Sequence, residues 1–434
     1  MNDIFIEKKL IKMVEKLKIT GLITAVAVVF SMFFLCGCSE KTFYEYTLEI
    51  PAEDVLMSLT EQKDNPYLQE AVVKAKESEQ IGVGFIESFV KAYNEIEDSL
   101  KPAMADLLAT AENQVSSTDD KVIEYLTKEY DAAIENACNV IVKRMELFGV
   151  KNPTIQKDSV TKGCLHLKLP GLKEPERVDK LLTQSGSFEF WETYNNDEIQ
   201  SSLMAADQII VAKKMEEAAD NGVDIAEDTT TEKVSSDSKY SIFNRLLAHL
   251  GTCEPFGPVV GFARKADMES IMNDLNSKDV MMMFPKDLVF AWGIKEVEFY
   301  DEYYDDFGEE REQSVFYELL ALKATMFGKA ALNGDVITDA SSERGVVSIT
   351  MDSVGSAQWE MITRNNIGRS IAMVFDNKVY SYPTVYDEIT GGRSQISGNF
   401  TDEEAEDFAT ILKSGRMPVP AKIISRQFVD LSSK

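Results

Sequence analysis

The sequence predicts an α+β fold, and three observations carry the prediction. Apolar residues recur at helical spacing in some segments and alternate with a period of two in others. The order strand, helix, strand, strand, helix, strand runs from Tyr46 to Tyr194, and a second set of strands and helices begins at Val346. Both sets follow an N-terminal run without charge, Ile19–Ser39.

The first set opens with a short strand, Tyr46–Ile50, and a helical region with polar linkers that continues to about Phe148. Its clearest element is the helix Lys121–Phe148, with Ile134, Ala137, Cys138, Ile141, Met145 and Phe148 on one stripe, Gly149 as its stop and Asn152-Pro153 as the turn. Strands follow near Thr154–Asp158 and Cys164–Leu169. The next helix starts at Pro175, a residue suited to a first helical turn, and turns Val178, Leu181 and Leu182 inward. The strand Ser187–Tyr194 closes the set. That order belongs to a ferredoxin-like unit, a sheet with its helices on one face.

Residues 195–240 read as polar and helical or loose, with Glu227–Lys239 as a solvated linker. A less legible stretch reaches about Phe307, and Val315–Thr325 reads as a strand. The second set comprises strand Val346–Met351, helix Ser356–Asn365 and strands Ser370–Phe375 and Lys378–Tyr382, joined by the tight-turn pair Asp376-Asn377. Strand Ser394–Phe400 precedes a helix opened by Thr401, with Glu404 as its capping-box partner. That helix stops at Gly415, Pro418 and Pro420 prevent its continuation, and Ala421–Val429 is a last strand.

At 434 residues, 44% hydrophobic and 27% charged, the chain has a globular composition with room for two or three cores. Its formal net charge is −28, and the part beyond Cys38 carries 40 basic against 70 acidic side chains. Such a surface repels a polyanion, which excludes nucleic acid as a partner.

The uncharged run of 21 residues, Ile19–Ser39, follows Lys8, Lys9, Lys12, Lys16 and Lys18, as the apolar core of an export signal follows its basic leader. Its length just reaches the roughly 20 residues that cross a bilayer. Its end, Leu35-Cys36-Gly37-Cys38, resembles the lipobox of bacterial lipoproteins, in which the last cysteine is acylated. Residues 1–38 therefore read as a lipoprotein signal peptide with Cys38 as the lipidated residue, or as a single membrane anchor. Either way the remainder lies outside the cytoplasm. No later segment is a membrane candidate, because Val280–Ile294 is broken by Pro285, Lys286 and Asp287.

Outside the signal stand Cys138, Cys164 and Cys253, an odd number that cannot pair completely. Cys138 lies on an apolar helical stripe, and Cys164 alternates away from the Leu165, Leu167 and Leu169 face, so a bond between them is not expected. The two histidines, His166 and His249, have no ligand-type neighbours at metal spacing, and neither G-x-S-x-G nor a phosphate loop occurs. The acidic run Tyr300–Asp306 lacks the glycine-punctuated spacing of an EF-hand and reads as a solvated loop. No catalytic group, metal or cofactor is expected. Gly391, Gly392 and Gly398 read as turn residues.

A set of strings in fixed order remains: Arg144–Val150, Leu169–Gly171 with Glu174–Arg177, Phe188–Trp191, Leu332–Ala340, Ser370–Asp376 with Val379–Pro383, Ile389–Arg393, Ile396–Thr401 and Leu412–Pro418. Through them the chain resembles the large periplasmic domain of the SecD/SecDF protein-export subunits, over roughly Tyr46–Val429. The resemblance implies a periplasmic base at residues 39–199, completed by a final strand in residues 421–434, and a head at residues 200–420. It also implies a non-enzymatic role in export, contacting unfolded exported polypeptide or translocon subunits, with the membrane reached through the N-terminus. A scaffold lipoprotein in an envelope complex is the alternative. The family's G-L-D-L-[KR]-G-G segment has no counterpart in Ser39–Glu45, and its proton-conducting membrane helices do not follow Lys434. A paralogue and a fragment both fit this, and the lipobox favours the paralogue.

For polypeptide contact the candidates are Tyr380, Tyr382 and Tyr386. Strand alternation sets Tyr380 and Tyr382 on one face, opposite Val379 and Ser381. Facing outward with Tyr386 they form an amphipathic patch for an extended chain. Facing inward they are core aromatics.

Overall fold

The computed structural model describes residues 42–78, 81–108, 118–220, 240–247, 253–299, 314–397 and 400–431. Residues 1–38 with Cys38, the linker Glu227–Lys239, His249 and the acidic run Tyr300–Asp306 lie outside the described residues. No described helix is long and apolar enough to cross a membrane.

Strand β1 (Thr42–Glu49) leads into four helices, α1 (Ala52–Ser58), α2 (Pro66–Glu77), α3 (Val83–Asn94) and α4 (Met104–Leu108), and then into the long α5 (Asp119–Leu147). Gly149, at φ +93°, ends α5, and the Val150 N–H reaches back to the Met145 carbonyl at 2.9 Å. Strands β2 (Thr154–Lys157) and β3 (Cys164–Pro170), helix α6 (Pro175–Thr183), β4 (Phe188–Thr193) and α7 (Asn196–Asp220) follow. Then come β5 (Leu246–Leu247), β6 (Val259–Arg264), α8 (Met268–Leu275), α9 (Lys278–Met281), β7 (Leu288–Phe299), β8 (Ser314–Lys323) and β9 (Leu332–Asn333). The chain finishes with β10 (Ile337–Glu343), β11 (Val346–Met351), α10 (Ser353–Asn365), β12 (Ile371–Phe375), β13 (Lys378–Ser381), β14 (Arg393–Ser397), α11 (Asp402–Ser414) and β15 (Lys422–Asp430). The Thr401/Glu404 capping box closes the start of α11 as its sequence predicts.

Three sheets organise these elements. A four-stranded antiparallel sheet runs β15-β1-β3-β2, and its buried face carries Tyr46, Leu48, Leu165, Leu167 and Leu169 in one core with Ile141, Leu181 and Leu182. One expectation is corrected here: Phe188–Thr193 does not close this sheet. It pairs with β12 and β9 in the eight-stranded sheet instead, and β15 occupies the place beside β1. The physical reason is two-sided burial. Phe188 and Phe190 face one core while Trp191 faces another, so this strand needs cover on both faces. The exposed residues of β15 suit an edge.

The eight-stranded sheet has the order β5-β6-β8-β7-β13-β12-β4-β9, with a further pairing of β4 to β8 through Glu192↔Lys323 and Thr193↔Leu322. That pairing closes β8, β7, β13, β12 and β4 into a ring. Trp191, Leu320, Leu322, Ala372, Val374 and Val379 share the core on one side of these strands, while Leu319 and Ala321 pack with residues of α7, α8 and α9 on the other. A three-stranded antiparallel sheet, β10-β11-β14, completes the fold, and Val347, Ile349 and Ile396 bury against the same core as Trp359 and Phe408.

One buried cation ties these parts together. Arg144 of α5 has no exposed surface, and its guanidinium donates to the carbonyls of Leu181, Gln184, Ser185 and Gly415 and to Ser414 Oγ. Burial pulls its pKa down to about 10 against the upward pull of the Asp376 charge, so it stays protonated at neutral pH. Asp376 and Asn377 adopt φ +46° and +64°, the tight hairpin that their sequence predicts. The Asp376 carboxylate accepts from Ser185 Oγ at 2.5 Å and from the N–H groups of Gly186 and Ser187 at 3.1 and 3.0 Å. The ends of α6 and α11 and the β12–β13 turn thereby converge on one junction. A second cation, Arg177, lies 4.9 Å from the Phe148 ring and grips Asp407 with two nitrogens, which joins α6 to α11.

Candidate functional site

The three tyrosines do not form one patch. A register shift between β12 and β13, where Met373 faces Ser381 but Val374 faces Val379, leaves Tyr380 as an extra residue and breaks the alternation. Tyr380 turns to the core around Phe408, whose ring is 5.5 Å away and nearly parallel, with Phe375 edge-on at 5.4 Å. Burial and the nearby Asp376 charge push its phenol up to about 12. Tyr382 packs on the other side, against the ring's core, and its hydroxyl donates to Glu318 Oε1 at 2.8 Å. Burial and the Glu318 charge raise its phenol as well. Tyr386 alone is open to solvent, 89% exposed.

Tyr386 stands on the rim of a groove of about 790 Å³. The groove lies between β14, with its neighbour β11, and the segment Pro383–Ile389 that follows β13. Its apolar lining comes from Ile349, Trp359, Ile371 and Met373, and its polar lining includes Arg393, Ser394 and Gln395 of β14. Each wall has a local cause. Gly368 N–H and Val385 N–H bond the carbonyls of Val385 and Arg369, and the Ile389 N–H bonds Thr363 Oγ1 at 2.9 Å. Arg364 of α10 bridges Glu360 and Glu388, which fastens the segment to the helix. Gly392 takes φ +64° where a Cβ would lie 2.8 Å from that of Ser356, so only glycine lets the start of β14 approach α10.

Two features of this groove suit an extended ligand. In its sheet β14 is a terminal strand, paired to β11 only among the described residues, so no described strand meets its outer row of backbone groups, of which the Ser397 carbonyl accepts from Ser381 Oγ at 2.9 Å. The indole Nε1 of Trp359 is buried without a partner among the described residues. Reading the sequence missed Trp359, Ile371, Met373 and Arg393 as lining residues. The available signal was the Ile389–Arg393 string, which reads as a turn until the fold sets it against α10.

Elsewhere the chemistry is sparse. No group of three metal-type ligands occurs among the described residues. His166 contacts Asp158 at 2.9 Å on the four-stranded sheet, and the hydrogen bonds from His166, Thr161 and Val160 hold the Asp158 carboxyl below its usual range against the opposing effect of burial. Cys138 and Cys253 are buried and Cys164 half-buried, and none of the three is in a disulfide.

Comparison with known proteins shows what the chain is similar to. The family model described as the P1 head subdomain of SecDF matches residues 308–419. The model for the N-terminal part of the P1 domain of protein translocase subunit SecDF matches residues 134–195. Protein translocase subunit SecD of Rhodothermus marinus is 29% identical over 88% of this chain and 60% of its own length. The SecD of Calditerrivibrio nitroreducens is 25% identical over 84% and 54%, and that of Rickettsia bellii is 41% identical over 23% and 21%. The chain thus spans little more than half the length of the first two relatives. Among solved structures, a SecDF crystal structure in a super-membrane-facing form is 21% identical, with a TM-score of 0.36 over 68% of this chain and 28% of the other. A second, of a membrane component SecDF that enhances protein export, gives 0.35 at 21% identity over 68% and 92%. The two family models, which match the N-terminal part and the head of a SecDF P1 domain in that order, and the SecD relatives along 84% to 88% of the chain support a SecD/SecDF P1-domain protein.

Proposed function

We propose that this chain is a non-enzymatic accessory of protein export, which holds an extended segment of unfolded exported polypeptide in the groove beside β14. The observation that carries this reading is an apolar groove lying along an unpaired strand edge, with the exposed Tyr386 ring on its rim. An extended chain satisfies an open strand edge through backbone hydrogen bonds whatever its sequence, and an aromatic rim adds contacts that tolerate diverse side chains. The net charge of −28 adds a preference for basic clients and makes capture salt-sensitive. The test is a photo-crosslinking residue at position 386 or 395 in the full chain, with the same residue at Val160 as control. Unfolded exported protein should be captured at the first two positions and not at the third. Equal capture at all three, or none, rejects the groove.

In this reading the four-stranded sheet with α5 and α6 is a ferredoxin-like base, completed by β15, and residues 200–420 are the head. The strand Phe188–Thr193 and the Arg144 junction lie where the two meet. The chain sits in the cell envelope with translocon subunits as neighbours, held by residues 1–38. If Cys38 is the lipidated residue, Cys38→Ala should leave an uncleaved precursor that takes up no acyl label. An intact wild-type N-terminus beginning at Met1 by mass spectrometry supports the membrane anchor instead.

A further inference from the structure

Three loops finish together at one end of the eight-stranded sheet. Strand register fixes this, because β6 and β7 both begin where β8 ends, with Val259↔Leu320 and Leu288↔Lys323. The Ala321 N–H bonds the Pro258 carbonyl at 3.0 Å, and the Ala324 N–H bonds that of Asp287 at 2.7 Å. At this end Phe256, Met282, Met326 and Phe327 are 68% to 90% exposed, each from a loop or a helix end. None of them lines the groove beside β14. Soluble proteins expose single apolar residues freely, but four large ones at the tips of neighbouring loops call for an explanation.

The charges at this end differ from those of the whole protein. Lys278, Lys286, Lys323 and Lys329 belong to these segments, against Glu254, Asp279 and Asp287, and Asp287 accepts the Tyr194 hydroxyl at 2.6 Å. Lys278, Lys286 and Lys329 are exposed and make no ion pair among the described residues. A chain of net charge −28 is thus close to neutral here, with uncommitted ammonium groups beside protruding apolar side chains.

We propose that these loop tips rest in the headgroup region of an anionic phospholipid bilayer. Apolar side chains that protrude from separate loops suit a fluid, flat apolar phase, whereas a polypeptide segment needs a shaped channel. Lysines bury their methylene stems while the ammonium stays with the phosphates, and the local neutrality removes the repulsion that the rest of the surface exerts on anionic lipid. The inference rests on the reading that residues 1–38 hold the chain at a bilayer, which brings that surface within reach.

The test uses the full chain carrying Phe327→Trp, with Val160→Trp as control, mixed with vesicles of phosphatidylcholine and phosphatidylglycerol whose acyl chains are brominated. Bromine quenches an indole only at close range. The emission added at position 327 should lose most of its intensity, the emission added at 160 should keep it, and Lys286→Glu with Lys329→Glu should restore the first. If the chain sediments with the vesicles while position 327 is unquenched, the tip proposal fails and the anchor stands. A chain that stays off the vesicles altogether sinks both. A blue shift at 327 with unfolded polypeptide in the absence of lipid, and no quenching, makes the tip a polypeptide contact and overturns the bilayer.

Discussion

Arg144→Met should destabilise the protein by about 3–5 kcal/mol, the cost of removing one partner from a buried charged network. Methionine fills much of the same volume, so the loss isolates the hydrogen bonds. The carbonyls of Leu181, Gln184, Ser185 and Gly415 each lose a donor, Leu181 in the buried interior, while the Ser185 carbonyl keeps the Met417 N–H at 2.8 Å and those of Gln184 and Gly415 lie nearer the surface. A buried acceptor left without a donor costs about 1–3 kcal/mol and a partly solvated one less, and the losses do not simply add because the ends of α6 and α11 relax together. Urea unfolding should show a lower midpoint at an unchanged slope. Arg144→Lys should recover only part, since an ammonium has three donors and no planar fork. Arg344→Met, at a side chain 90% exposed, should leave the midpoint where it is. A loss below about 1 kcal/mol in Arg144→Met would mean that the junction is held by packing around Phe408 rather than by the guanidinium.

This junction also shows what the sequence makes legible. Arg144 lies in a quotable string, and its helix is predicted within two residues of its observed ends, because an apolar stripe with a glycine stop is a local signal. The five acceptors come from segments up to 271 residues away, and no periodicity encodes that meeting. The same limit explains Phe188–Thr193. Its neighbours in sequence suggest that it closes the first sheet, yet β12 offers cover for both of its faces and wins the pairing. Residues 240–300 are hard to read for a related reason. Both sides of β6 and of residues 288–292 in β7 are covered, so their apolar residues run on without the alternation that marks a half-buried strand. For the groove, the polar rim residues are ordinary turn and edge residues until the chain folds. Trp359 lies inside the predicted helix Ser356–Asn365, and no local signal sets it beside β14.

The largest contrast among the candidate residues should separate Tyr380 from Tyr386. Tyr380→Ser removes a ring stacked on Phe408 and set edge-on to Phe375, and it leaves a cavity next to the Asp376 turn. A loss of about 3 kcal/mol is expected, near the low end of the range for deleting a core aromatic because the ring is only partly buried. Tyr382→Phe removes one hydroxyl from Glu318 and should cost about 1 kcal/mol. Tyr386→Ser touches no core residue and should leave the midpoint within about 0.5 kcal/mol of the wild type. Binding should run the other way. Tyr386→Ser should weaken the affinity for an unfolded exported protein by about fivefold or more, the loss expected when an aromatic anchor leaves a contact surface. Tyr380→Ser, measured at a temperature where it is still folded, should bind nearly as well as the wild type, because its ring never meets the client. Fluorescence anisotropy with a labelled unfolded protein, beside urea midpoints for the same three variants, reads both quantities. A Tyr386 variant that binds like the wild type, with a Tyr380 variant that stays folded and loses the client, would return the contact surface to the β12–β13 hairpin and empty the groove of its role.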